Sequence, residues 1–158
     1  CYGAYPDRAS PRTVPLLPGL EWRTQLTFVK RVAAGDTVGY GRTWTAPADT
    51  WVGTIPIGYA DGYSRLLSNR GRVLIGGVPR PVIGRVCMDQ SMVDLGPDAP
   101  ASVGDDVVLV GPPNQGGDGS TPGRPAEITS TELADLMGTI PYEVTCLITR
   151  RPGRAYRS

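Results

Sequence analysis

From Trp22 onward the chain alternates short apolar runs with breaks at glycine, proline, aspartate and asparagine. The runs are rich in valine, isoleucine, leucine, threonine and aromatics, with the β-branched and aromatic residues suited to a pleated, half-buried surface. This pattern predicts strands over 24–33, 37–44, 51–58, 72–76, 81–87, 91–95, 106–110 and 143–149. Gly76-Gly77 has the chemistry of a tight hairpin turn, because glycine reaches positive φ without a Cβ clash. Asp36 and Gly104-Asp105 mark further turns. Eight short strands at this spacing predict an all-β fold, an antiparallel domain closed or partly closed into a barrel.

One segment departs from the β pattern. Thr129-Ser130-Thr131-Glu132 has the form of a capping box, in which the Thr129 hydroxyl satisfies an early N–H and Glu132 reaches back. Leu133, Leu136 and Met137 then share a face and Gly138 supplies the stop, which predicts one short helix near the C-terminus. Two stretches cannot build a core. Residues 1–20 hold Pro6, Pro11, Pro15 and Pro18 with Gly3 and Gly19 and read as an irregular linker, leaving 21–158 as the domain. Residues 114–125 read as a flexible loop, the expected first site of proteolytic nicking. Its glycines lack the spacing and following helix of a phosphate-binding motif.

Composition narrows the function. The length, 158 residues, is that of one domain, able to bury roughly 70% of its unfolded surface. A formal net charge of +1 makes no electrostatic case for nucleic acid or an acidic membrane, and Arg150, Arg151, Arg154 and Arg157 read as a solvated tail. No apolar run is long enough to span a bilayer. Cys1, Cys87 and Cys146 form neither a disulfide framework nor a C-x-x-C metal site, which fits a reducing cytoplasm and no bound metal. The chain opens on Cys1 with no signal-like apolar segment, and is expected to be a fragment of a longer protein. There is no histidine, so acid–base chemistry falls to Tyr, Asp, Glu, Cys or Lys. The only lysine is Lys30, in mid-strand and expected to face solvent.

Three segments gather reactive side chains. Tyr40 lies in Val38-Gly39-Tyr40-Gly41, where the flanking glycines either leave the ring uncovered or simply bracket an aromatic packed on a strand. Gly58-Tyr59-Ala60-Asp61-Gly62-Tyr63 places two tyrosines and a carboxylate around an Asp-Gly turn that would also explain itself without function. Gly84-Arg85-Val86-Cys87-Met88-Asp89-Gln90 crowds a cation, thiol, thioether, carboxylate and amide together, as a site or as a charged strand end. Spacing alone leaves these readings open.

Taken together, Cys1-Tyr2-Gly3, Val38-Gly39-Tyr40-Gly41, Ile55-Pro56-Ile57-Gly58-Tyr59-Ala60-Asp61-Gly62, Gly84 through Gln90, and Gly138-Thr139-Ile140-Pro141-Tyr142-Glu143-Val144 resemble the C-terminal domain of the alanine racemases, in that family's order. The resemblance implies a pyridoxal-phosphate enzyme interconverting L- and D-alanine, with the cofactor on a lysine of an N-terminal barrel outside this chain. Lys30 is not that lysine. It further implies a head-to-tail homodimer in which this domain completes the partner's active site, and a role in supplying D-alanine for peptidoglycan. Residue by residue, Tyr40 matches the catalytic tyrosine, and Met88 the residue whose backbone N–H meets the substrate carboxylate. Asp89 supports that segment, while Tyr59 and Tyr142 match tyrosines of the entrance, Tyr142 near the cofactor phosphate. The 114–125 loop is longer than the family leads one to expect. Competing readings are a serine or broad-specificity racemase, the β-domain of a related decarboxylase that would use Cys87, and a non-catalytic β-barrel binding module.

Overall fold

A computed structural model describes residues 3, 5, 13–98, 101–112 and 127–156. The loop expected to be cleaved first, 114–125, lies outside the described residues. Among the described residues nine strands form: β1 (Trp22–Gln25), β2 (Phe28–Val32), β3 (Thr37–Val38), β4 (Trp44–Thr45), β5 (Thr50–Ile55), β6 (Arg72–Ile75), β7 (Val78–Ile83), β8 (Ser91–Gly96) and β9 (Asp106–Val110). Seven make one antiparallel sheet in the order β1-β9-β6-β7-β8-β5-β2, and β3 pairs with β4 as a separate hairpin.

The first and last strands of that sheet are consecutive in sequence, which dictates its shape. Gln25 and Phe28 are three Cα steps apart, a span of at most roughly 11 Å, so the sheet must curl until its two edges nearly meet. Leu26 and Thr27 form the joint. Leu26 still bonds toward β9, donating to Asp105 O at 2.9 Å, whereas Thr27 already donates to Thr54 O of β5 at 2.9 Å. The predicted strand 24–33 is therefore one extended segment that changes partner in the middle. Leu26, fully buried, fills the interior over Gly53, where an added Cβ would stand 2.7 Å from its methyl.

The hydrophobic alternation sorts into two clusters across this wall. Inward-facing Ile55, Val82, Val93 and Leu95 join Trp22, Tyr63, Leu67, Val73, Leu109, Ile128 and Leu133 in the main core. Residues of opposite parity on the same strands, Val52, Ile83 and Met92, face outward into a second cluster with Val32 and Ala46. The β3–β4 hairpin covers that second cluster with Val38 and Trp44. Period-2 patterning thus buries both faces of β5, of β8 and of the end of β7 at Val82 and Ile83, and the outer face is what seats the hairpin.

Several predicted boundaries shift. The strand expected over 37–44 is two two-residue strands around a turn, because Gly39, Gly41 and Arg42 all take positive φ. β5 stops at Ile55, short of the predicted 58. β7 starts at Val78, directly after the Gly76-Gly77 turn, and ends before Gly84 rather than running to Cys87. Its prolines, Pro79 and Pro81, are tolerated because β8 pairs only with Val82 and Ile83, so the missing N–H groups face no partner strand. The helix α1 (Ser130–Met137) forms where predicted, with Thr129 Oγ1 accepting from Glu132 N at 3.1 Å and Gly138 as a left-handed cap. Glu132 does not reach back; its carboxylate takes both Nε and Nη2 of Arg72, at 2.6 and 2.7 Å. The strand predicted over 143–149 is instead a second helix, α2 (Pro141–Leu147), initiated by proline at its first position. β-branched Val144 and Thr145 misled there, because tertiary packing of Val144 into the core overrides their propensity.

Candidate functional site

Three connections lie side by side at one end of the curled sheet: the 39–43 turn, the 57–62 turn and the 84–90 segment after β7. Their contact begins with glycine. Gly84 takes φ +69 and a Cβ there would sit 2.8 Å from Val38 O, while a Cβ on Gly39 would stand 3.2 Å from Arg85 N. No larger residue allows the hairpin to lie this close to the strand end. The ring of Tyr40 projects from the tip and is 78% exposed. It is not buried in its own fold.

Gly58 makes the second close approach. A Cβ on it would collide with the carbonyl oxygens of Cys87 and Met88. That contact is zipped by two hydrogen bonds, Tyr59 N to Cys87 O and Ala60 N to Met88 O, each at 3.0 Å. Beneath them Ser91 Oγ donates to Ile57 O at 2.8 Å. The 87–90 turn is closed by Cys87 N donating to Gln90 O at 3.0 Å. Met88 thus has its carbonyl engaged, while its N–H has no hydrogen-bond partner among the described residues. The side chains of Tyr59 and Met88 are both exposed beside it.

Asp61 holds this turn from within. It is 6% exposed, its Oδ2 accepts from Gly58 N at 2.9 Å, and its Oδ1 lies 3.4 Å from Arg151 Nε. Arg151 also donates through Nη2 to Asp89 Oδ1 at 2.7 Å, so one guanidinium joins the 57–62 turn to the Met88–Asp89 segment. Thr149 adds Thr149 N to Asp61 O and Thr149 Oγ1 to Ala60 O, both at 3.0 Å. The arginine-rich end expected to be a solvated tail is, at Arg151, a clasp on the cluster. Arg154 likewise turns back onto Ile148 O at 3.2 Å.

Of the five residues singled out from the sequence, Tyr40, Tyr59, Met88 and Asp89 stand on contacting segments. Tyr142 is half-buried on the first turn of α2, and that helix meets the cluster at its other end, where Leu147 and Ile148 abut Gly62. The sequence leaves Asp61 open between a site carboxylate and a turn former and gives no role to Asn69, which takes φ +56 and bonds both to Thr43 and to Gly84. Among the described residues no group of His, Cys, Asp and Glu could hold a metal ion. Lys30, the one lysine of the chain, is exposed on β2 in register with Val52. The unpartnered Met88 N–H and the exposed Tyr59 ring thus stand on bonded segments, and Lys30 lies on none of the three connections.

Residues 19–156 match the family described as alanine racemase, C-terminal domain. The chain is 50% identical over 153 residues to the alanine racemase of Cutibacterium acnes, covering 97% of this chain and 38% of that protein. It is 49% identical to the alanine racemase of Symbiobacterium thermophilum, covering 90% of this chain and 35% of that one. Among solved structures, the alanine racemase from E. faecalis superposes with a TM-score of 0.85 at 39% identity, over 99% of this chain and 39% of its own. That from D-cycloserine producing Streptomyces lavendulae gives 0.85 at 36%, over 99% and 39%. The chain spans less than two-fifths of the length of each of these relatives, and over that span it belongs to the alanine racemase C-terminal domain family.

Proposed function

We propose that this domain completes the active site of a pyridoxal-phosphate-dependent alanine racemase, an isomerase interconverting L- and D-alanine, by presenting Tyr40 to a second subunit in a head-to-tail homodimer. Residues 1–20 would connect it to the cofactor-bearing domain, with 21–158 as the domain proper. A single observation carries the reading: the Tyr40 ring stands in solvent on a short hairpin that is itself fixed against the segment bearing Met88.

Racemisation requires a proton to leave one face of Cα and another to arrive on the opposite face. Bound pyridoxal phosphate would supply a sink for the electron pair left at Cα between those events. Tyr40 holds or takes the proton on one face, and the lysine carrying the cofactor serves the other. The Met88 N–H orients the substrate by donating to its carboxylate, and Asp89, held by Arg151, keeps that N–H in place. Tyr59 and Tyr142 wall the entrance, Tyr142 toward the cofactor phosphate, which favours a methyl side chain over a bulky one. A phenol works as a base only where cations stabilise its anion, so activity needs the partner's contribution. The cellular role is D-alanine supply for peptidoglycan, in the cytoplasm.

The test is α-hydrogen exchange in D2O by the full-length enzyme. With Tyr40→Phe, exchange from L-alanine should fall about 100-fold or more, in keeping with the loss of one general base. Exchange from D-alanine, served by the lysine, should persist. Equal losses from both enantiomers would refute the two-face assignment.

A further inference from the structure

We infer that Asn69 is a positioning residue that sets where Tyr40 stands relative to Met88. The inference rests on the proposed roles of those two residues.

Asn69 follows the short 3₁₀ turn Arg65–Leu67 and holds the left-handed conformation, φ +56. Asparagine tolerates this region better than other side chains with a Cβ, at some cost over glycine. The conformation aims its amide between two of the site's segments. Nδ2 donates to Thr43 Oγ1 at 3.2 Å and lies 3.4 Å from Thr43 O, on the return arm of the Tyr40 hairpin. Oδ1 accepts from Gly84 N at 2.6 Å, at the root of the segment that leads to Met88. The preceding residue adds a like contact two residues further along, as Ser68 Oγ accepts from Val86 N at 3.0 Å. Both segments are therefore referenced to one fixed point, which packs through buried Leu67 into the main core.

The hairpin needs such a reference. β3 and β4 contribute two residues each and pair only with each other, and the cluster under them is small. Two paired strands of that length are marginal alone. The amide bridge fixes the lateral position of the Tyr40 turn, and the Gly39–Gly84 contact fixes its height. A glycine at position 69 would keep the backbone conformation without strain while removing both bonds. That substitution separates positioning from folding.

The experiment follows D-alanine in D2O with the full-length enzyme, comparing α-hydrogen washout in recovered D-alanine with L-alanine formed. Washout needs only the face served by lysine, whereas L-alanine formation also needs Tyr40. Asn69→Gly should raise the ratio of washout to racemisation about tenfold, less than the roughly 100-fold that a 1 Å misplacement can cause. Asn69→Asp keeps the acceptor for Gly84 N and can accept from the Thr43 hydroxyl, so its ratio should stay within about twofold of wild type. Both rates falling together at an unchanged ratio would show a merely structural residue and overturn the inference. Thr43→Val, at an exposed position, removes one hairpin bond and should raise the ratio about two- to threefold. No rise there would overturn the inference even if the glycine variant misfolds. Tyr40→Phe, run alongside, must raise the ratio. If it does not, the reading of Tyr40 fails and takes this inference with it. If it does while Asn69→Gly leaves the ratio unchanged, the inference alone fails.

Discussion

Tyr40 and Tyr63 each follow a glycine with positive φ, and they end in opposite environments. Tyr40 is 78% exposed at the tip of a hairpin, and Tyr63 is wholly buried in the main core. Tyr63 lies edge-on to Trp22 with ring centroids 6.1 Å apart, and its hydroxyl points at Gly71 with no hydrogen-bond partner among the described residues. Burial first, and the Glu132 charge second, push its phenol well above the usual tyrosine range. The two rings show what separates a structural phenol from a presented one. Tyr63 contributes area and is held neutral, whereas Tyr40 stands outside, where a second surface can reach its oxygen.

The sharpest way to break this comparison is the same substitution at both sites. Tyr40→Phe should cost two orders of magnitude or more in L-alanine exchange while leaving the unfolding midpoint unchanged, as expected for an exposed ring. A fall in midpoint would mean the ring packs in its own fold. Tyr63→Ala should do the reverse, destabilising the protein by about 3–5 kcal/mol through the cavity it leaves, as read by denaturant unfolding. Gly84→Ala tests the close approach between hairpin and strand end. It forces a Cβ against Val38 O in a left-handed backbone and should cost about 1–3 kcal/mol, with racemisation falling along with it. Unchanged activity would show that the hairpin does not need that seat. The smallest effect belongs to Tyr63→Phe, which deletes an unpartnered buried hydroxyl and should change stability by less than about 1 kcal/mol near neutrality.

The pH dependence sharpens that last case. Because the folded pKa of Tyr63 lies above its unfolded one, its contribution is intact below about pH 10 and is lost as pH rises through the folded value. Tyr63→Phe should therefore flatten alkaline destabilisation in a pH series of unfolding midpoints. An identical alkaline slope would remove Tyr63 as its source.

What was legible in the sequence follows from how local each signal is. The helix at 130–137 was read from its cap and stop, since Thr129 and Gly138 act within their own turn. The main β pattern and the Gly76-Gly77 turn were legible for the same reason. The Tyr40 hairpin reads as one strand because its apolar residues alternate, and its reversal depends on three departures to positive φ flanking that ring, at Gly39, Gly41 and Arg42. Periodicity carries no trace of those. Arg151 was read as solvated because its partners, Asp61 and Asp89, lie 90 and 62 residues away. Asn69 carries no local signal for a like reason, since its bonds run to Thr43 and Gly84. The segments bearing Tyr40, Tyr59 and Met88 were found by resemblance to a family. Their contact is made by tertiary packing.

The joint at Leu26 and Thr27 has a consequence for how the domain is made. Thr27 and β2 find their partner in β5, about one hairpin further along, whereas β1 and Leu26 must wait for Asp105 to Val110. On a ribosome, which extends a chain at roughly 5–20 residues per second, the second half of this segment can dock seconds before the first half has anything to bind. Closure of β1 on β9 is then a late, non-local pairing, the kind that slows folding. Until β9 emerges, the nascent domain carries an unzipped seam, and Trp22 and Leu26 are the apolar side chains a chaperone would meet there.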